Sequence, residues 1–178
     1  MSDAFREYLT FSHGLILGVV FLLAFAVGLL NLYSLRRASS LTGAERTERV
    51  WRLKWSTGAM AVVAWLLVIT GTYVIYPWYR AAPPEGVADL SAYPRSFLLA
   101  DASISVLHSF GMEWKEHVAW FAPILATTVF YIVVKYGPQL SQDDRLRKMA
   151  FVLFILAFAA AAVAGVIGGL IADAAPIV

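Results

Sequence analysis

The stretch FSHGLILGVVFLLAFAVGLLNLYS, residues 11–34, runs for 24 residues without one Asp, Glu, Lys or Arg. A helix needs about 20 predominantly apolar residues to cross a bilayer. Three further runs are similarly apolar: residues 57–79, 117–136, which carries one charge at Lys135 near its end, and 149–172. The chain of 178 residues is 60% hydrophobic and 15% charged, with a mean hydropathy of +0.70. A soluble domain would carry about 25% charged residues. These runs leave little for a separate soluble unit. The expected fold is an all-α integral membrane protein, a four-transmembrane-helix bundle forming a single membrane domain over residues 1–178.

The first run reads as a retained span rather than a cleaved signal. It exceeds the apolar core of a signal peptide, Asp3 and Glu7 precede it, and no small-residue cleavage site follows. With no cysteine, the chain can form no disulfide, no thiolate metal site and no covalent c-type haem link. A formal charge of +2 gives no reason to expect nucleic acid.

The distribution of charge tells more than its sum. Arg36, Arg37, Arg46, Arg49, Arg52 and Lys54 lie between the first two runs, and Lys135, Arg145, Arg147 and Lys148 lie at or beyond the end of the third. Only Arg6, Arg80, Arg95 and Lys115 lie elsewhere. By the positive-inside rule, both termini and the 80–116 loop are expected on the periplasmic or extracytoplasmic side of a cell inner membrane. Eight of the twelve acidic residues share that side. Aromatic residues mark both interfaces: Tyr73, Tyr76, Trp78, Tyr79, Trp114 and Trp120 on one side, Trp51 and Trp55 on the other. Pro77, Pro83 and Pro84 terminate the second span, because proline lacks a backbone donor and restricts the residue before it. Residues 96–110 are apolar but too short to cross, so a short helix on the outer surface is expected in the 80–116 loop, folded over the bundle.

The two halves invite superposition as pseudo-repeated helical hairpins. In each, a histidine (His13 or His117) opens an apolar helix, a basic segment follows, and a second helix runs toward glycine. Arg52 to Gly71 is 19 residues, and Lys148 to Gly168 is 20. Spans one and three run the same way, so His13 and His117 are expected at matched depth.

The chain's three histidines, His13, His108 and His117, all fall on the expected outer side. Neutral imidazole nitrogens can serve as axial ligands to b-type haem without a covalent tether, and helix bundles build such sites from facing helices. The leading expectation is one haem b between His13 and His117, with His108 as a substitute ligand. Gly71, Gly165 and Gly168 would admit the porphyrin, and Arg80, Arg95 or Lys115 would pair with its propionates. An alternative is a non-haem metal site from His13, His108, Glu113, Glu116 and His117, a mixed nitrogen and oxygen set. In helical register Glu113, Glu116 and His117 share a 100° arc. The bland account makes Glu113, Lys115 and Glu116 a solvated helix start, favoured by the helix dipole, and the glycines small-residue packing positions. Ser, His and Asp occur near one another at 101–109, but no motif makes that cluster a catalytic triad. No nucleotide-binding loop or nucleophile elbow is visible.

In helix count and histidine placement, the chain resembles small four-helix membrane b-type cytochromes and the haem-bearing anchor subunits of respiratory enzymes. That resemblance implies an electron-transfer subunit working with other membrane or periplasmic redox subunits, with quinone among the partners such proteins use. It is a resemblance of architecture, which constrains function less than a site does. The rival expectation is a non-catalytic accessory subunit of a larger respiratory or photosynthetic complex, docking through span four. Under either, the chain is a subunit rather than a stand-alone enzyme.

Overall fold

A computed structural model describes residues 3–175. Four helices are long and apolar enough to cross a membrane: Glu7–Arg37, Gly43–Tyr79, Ser105–Ser141 and Asp144–Ala174, here spans one to four. No strand occurs among the described residues. The architecture is the all-α four-helix bundle that the apolar runs predict. Span one packs on two, two on three and three on four along their lengths, while spans one and four meet through large side chains, Phe25 of one against Phe154 and Phe158 of the other. One end of the bundle carries the 80–104 connection and both chain ends; it is called the loop end. The opposite, basic end carries the two short connections.

The basic end begins its helices with side-chain caps. Thr42 Oγ1 accepts from the Glu45 backbone N–H, and the Glu45 carboxylate accepts from the Thr42 backbone N–H, which closes a capping box. Asp143 Oδ1 accepts from the N–H groups of Arg145 and Leu146 at the head of span four. Each cap pairs donors that a helix start otherwise leaves open.

Between the ends, the interior is aliphatic and aromatic. Leu32, Leu53, Met60, Val129 and Phe154 are fully buried. The Phe25 ring stacks on Phe158 at 4.0 Å and lies 5.0 Å from Phe154. Gly28 makes this possible, since a Cβ there would come within 2.7 Å of Phe154 Cζ. The outer surface is as apolar as the core: Leu23 is 61% exposed, Leu30 68%, Val62 60% and Val166 64%. Bands of this kind on every span belong against lipid rather than water.

A second, smaller core closes the loop end. Residues Pro94–Ala100 form a short helix whose Leu98 is fully buried beside Tyr79, Met112, Ile167 and Ile171. It folds over the ends of spans two, three and four. Span three differs from its expected start: the helix begins at Ser105 rather than 117. The charges at 113–116 do not end it: Glu116 accepts from Tyr76 of span two, Lys115 turns toward Gly168 of span four, and Glu113 stays exposed beside His117.

Candidate functional site

Three segments of π-helix interrupt the spans, all at the loop end: Ser12–Leu17, Gly71–Ile75 and Trp114–Val118. Such i→i+5 turns are rare and gather at functional positions. Two have a visible cause. Pro77 and Pro123 each lack an N–H and crowd the carbonyl four residues earlier, and a widened turn lies on the N-terminal side of each. Its hydrogen bonds span five residues, as in Ala119 N–H to the Trp114 carbonyl at 3.0 Å. The consequence is a changed side-chain register exactly where the polar residues stand, so a helical-wheel reading of 113–117 fails there.

His13, in the first π segment, is half-buried, and its Nδ1 lies 2.8 Å from Thr70 Oγ1 of span two. The Thr70 hydroxyl donates its one proton to the Leu66 carbonyl at 2.6 Å. Thr70 Oγ1 is therefore the acceptor and His13 Nδ1–H the donor. That assigns the proton to Nδ1 and leaves a lone pair on Nε2. The ring rests on Gly71: a Cβ there would lie 3.2 Å from His13 Cε1 and 3.7 Å from Nε2. Beside it, Ser12 Oγ is buried with no hydrogen-bond partner.

Lys115, in the third π segment, turns toward the same region. Its charge acts on the His13 ring, and a Cβ at Gly168 of span four would lie 3.3 Å from its Nζ. Among the described residues no carboxylate pairs with it. All four spans thus contribute: His13 and Ser12, Thr70 and Gly71, Lys115, and Gly168. Gly71 and Gly168 were expected to admit a porphyrin; the side chains they admit are His13 and Lys115. At Gly165 a Cβ would meet open space.

His117 stands apart. It is exposed, and its Nδ1 donates to the Glu113 carbonyl at 3.1 Å, with the Glu113 carboxylate at 3.3 Å. Its side chain keeps 69% of its accessible surface. No hydrogen bond or ring contact joins it to His13 among the described residues. His13 is half-buried against span two, whereas His117 is exposed and bonded to its own helix.

The remaining candidates form a second polar layer nearer the loop. Tyr76 O–H donates to Glu116 Oε1 at 2.5 Å, and Arg80 Nη1 donates to Tyr76 Oη at 3.0 Å. Tyr79 Oη lies 2.8 Å from His108 Nδ1, and the Arg95, Arg80 and Glu116 charges act on that ring. Arg95 Nε is buried without a partner. The five residues of the metal alternative are thus divided among different partners, and no group of three or more metal-ligating side chains gathers among the described residues. Asp101 instead bonds Ser103 N–H and Oγ at 2.8 and 2.7 Å, which holds its carboxyl below the usual range. With His108 turned to Tyr79, these residues make no triad.

Thr70, Ser12 and Tyr76 were not anticipated. Pro77 and Pro123 were the available signal, since proline near a span end predicts a disturbed turn and freed polar groups. No protein-family model, curated protein or solved structure matches the chain.

Proposed function

We propose that the chain is a membrane-embedded subunit of an electron-transfer complex that holds a cofactor or redox carrier inside its loop end. One observation carries this reading. Ser12 Oγ is buried with no hydrogen-bond partner, where buried polar groups are ordinarily satisfied; next to it in sequence His13 is bonded through Nδ1 to Thr70, and no carboxylate pairs with Lys115 among the described residues. Such an arrangement suits a ligand bearing both donors and acceptors. The group lies near a membrane interface: His13 is 23 residues from Arg36 in span one, a rise of roughly 35 Å, against about 30 Å of hydrocarbon.

The basic end faces the cytoplasm in this proposal, and the loop end faces the periplasm, on the bias of Lys and Arg. Because the chain has no cysteine, single-cysteine labelling tests it cleanly. Ser91→Cys should react with an impermeant thiol reagent added outside intact cells, and Ser40→Cys should not. The reverse pattern would invert the topology.

Haem b is the second reading, favoured by the His13 tautomer. An axial histidine characteristically donates its other N–H to a fixed acceptor, as His13 does to Thr70. His13 would hold the iron and Lys115 a propionate, and the haem would supply one-electron chemistry. The absorbance spectrum of purified protein separates the readings. A Soret band that shifts on reduction and is lost in His13→Ala establishes haem. With no such band, haem is excluded as the resident group, and solvent extraction of the same preparation should recover a lipophilic carrier.

A further inference from the structure

We infer that a groove between the outer faces of spans one and two, in the half of the bundle nearer the basic end, binds one anionic phospholipid. Its phosphate sits at Arg52 and an acyl chain lies past Trp55. The groove has a volume of about 390 Å³ and runs between Val20, Leu23 and Val27 of span one and Trp55 and Ala59 of span two. Small-ligand sites occupy roughly 300–1,000 Å³. Helical spacing makes the two walls continuous: residues 20, 23 and 27 share one face of a regular α-helix, and so do 52, 55 and 59. From Val20 to Val27 the wall rises roughly 10 Å along the bundle.

The walls offer separate surfaces to the two parts of a lipid. Besides Arg52 the only polar residue on them is Ser56, whose hydroxyl donates to the Leu53 carbonyl at 3.1 Å. The deeper part therefore gives hydrocarbon contact and no open donor. Trp51 and Trp55 meet edge to face, 6.1 Å between ring centres, and stand largely exposed, as rings of an interfacial belt do. Arg52 stands between them in sequence. Its Nη2 donates to Glu48 Oε1 at 2.5 Å, and a guanidinium has further N–H groups for a phosphate. Charge selects the lipid. From Arg36 to Lys54 the chain has six Lys and Arg against two Glu, and Glu45 is taken up in the Thr42 cap. Such a cluster beside a span attracts anionic head groups. A second copy of the chain in the same orientation would set two basic ends side by side, whereas an anionic lipid neutralises one.

The test is tryptophan quenching of the full chain in vesicles of phosphatidylcholine with a minor fraction of phosphatidylglycerol, bromine being carried on the chains of one lipid at a time. Brominated phosphatidylglycerol should quench beyond its share of the bilayer. That excess should vanish in the double variant Trp51→Phe/Trp55→Phe, which removes the reporters at the groove. Arg52→Gln should lower the relative affinity for phosphatidylglycerol about five-fold, the scale for one cationic side chain beside an anionic surface. Glu48→Gln, which removes the competing carboxylate, should raise it. Ala59→Phe adds bulk at an exposed position in the groove and should abolish the excess while thermal unfolding stays as in wild type. Arg145→Gln, exposed at the head of span four, should leave the affinity unchanged. Quenching by the two brominated lipids in proportion to their amounts overturns the proposal, because bulk bilayer then fills the groove. A loss in Arg145→Gln as large as in Arg52→Gln overturns it in favour of diffuse surface attraction. Excess quenching that persists in Ala59→Phe places the lipid elsewhere and overturns the site. Quenching of Trp51 and Trp55 by neither lipid also overturns it, since protein, such as a second copy of the chain, then covers the groove.

Discussion

The two hairpins match in sequence pattern and differ in what they bring inside. In the first, a basic side chain from a π turn of span one, His13, rests on a glycine of the next span, Gly71. In the second, a basic side chain from a π turn of span three rests on a glycine of the next span, Gly168, but that side chain is Lys115. His117, two residues on, turns outward to its own helix. His13 is tied across the bundle to Thr70, whereas the exposed His117 bonds Glu113 of its own helix. Matched positions along two parallel helices therefore do not imply matched directions. A widened turn is enough to exchange the inward residue for its neighbour.

The sharpest way to break this comparison is at the glycines. A Cβ at Gly71 would press on a ring atom held by the Thr70 hydrogen bond, 3.2 Å away. At Gly168 the neighbour at 3.3 Å is the free end of a flexible chain. Gly71→Val should cost about 1–3 kcal/mol, the range for overpacking a fitted interior, and Gly168→Val well under half of that. Thermal unfolding in one detergent measures both. Equal losses would mean that Lys115 is held as firmly as His13, and the asymmetry between the halves would fail.

A smaller effect isolates the polar tie. Thr70→Val keeps the shape of the side chain and removes the acceptor of His13 Nδ1–H, at a cost of about 1–2 kcal/mol. Nitrogen NMR of labelled histidine should show His13 losing its preference for the Nδ1–H tautomer, while His117, bonded to a backbone carbonyl, keeps its own. A His13 spectrum unaltered by Thr70→Val would remove the basis for placing a lone pair on Nε2.

The bundle was legible because span length and apolar composition are set by the bilayer and need no tertiary information. Some of the site was legible for the same reason: depth follows from counting residues, and His13, Gly71 and Gly168 came from that count, while Lys115 was offered only for its charge. Direction did not. The 100° register that gathered Glu113, Glu116 and His117 assumes an unbroken α-helix, and residues 114–118 are π-helical. Glu113 and His117 still meet, because their contact is local, but Glu116 is carried to Tyr76 of span two. Lys115 was assigned a solvated position because charge is cheap outside a membrane. Its packing against Gly168 depends on span four, which no local pattern in residues 113–117 reveals.

At the basic end the halves are alike, and there the comparison sets the scale for a negative result. Each second helix begins with a side-chain cap, Thr42 with Glu45 in one and Asp143 in the other, so Thr42→Ala and Asp143→Ala should each cost about 1 kcal/mol. Glu113→Gln provides the smallest effect. It weakens an exposed contact 3.3 Å from His117, and exposed pairs contribute little because water and salt screen them. Stability should change by no more than about 0.5 kcal/mol, and occupancy of the loop-end site should not change at all. That second expectation carries the weight. If Glu113→Gln lowered that occupancy as strongly as His13→Ala, the outward pair would belong to the site, and His117 would regain the place beside His13 that the repeat pattern first assigned it.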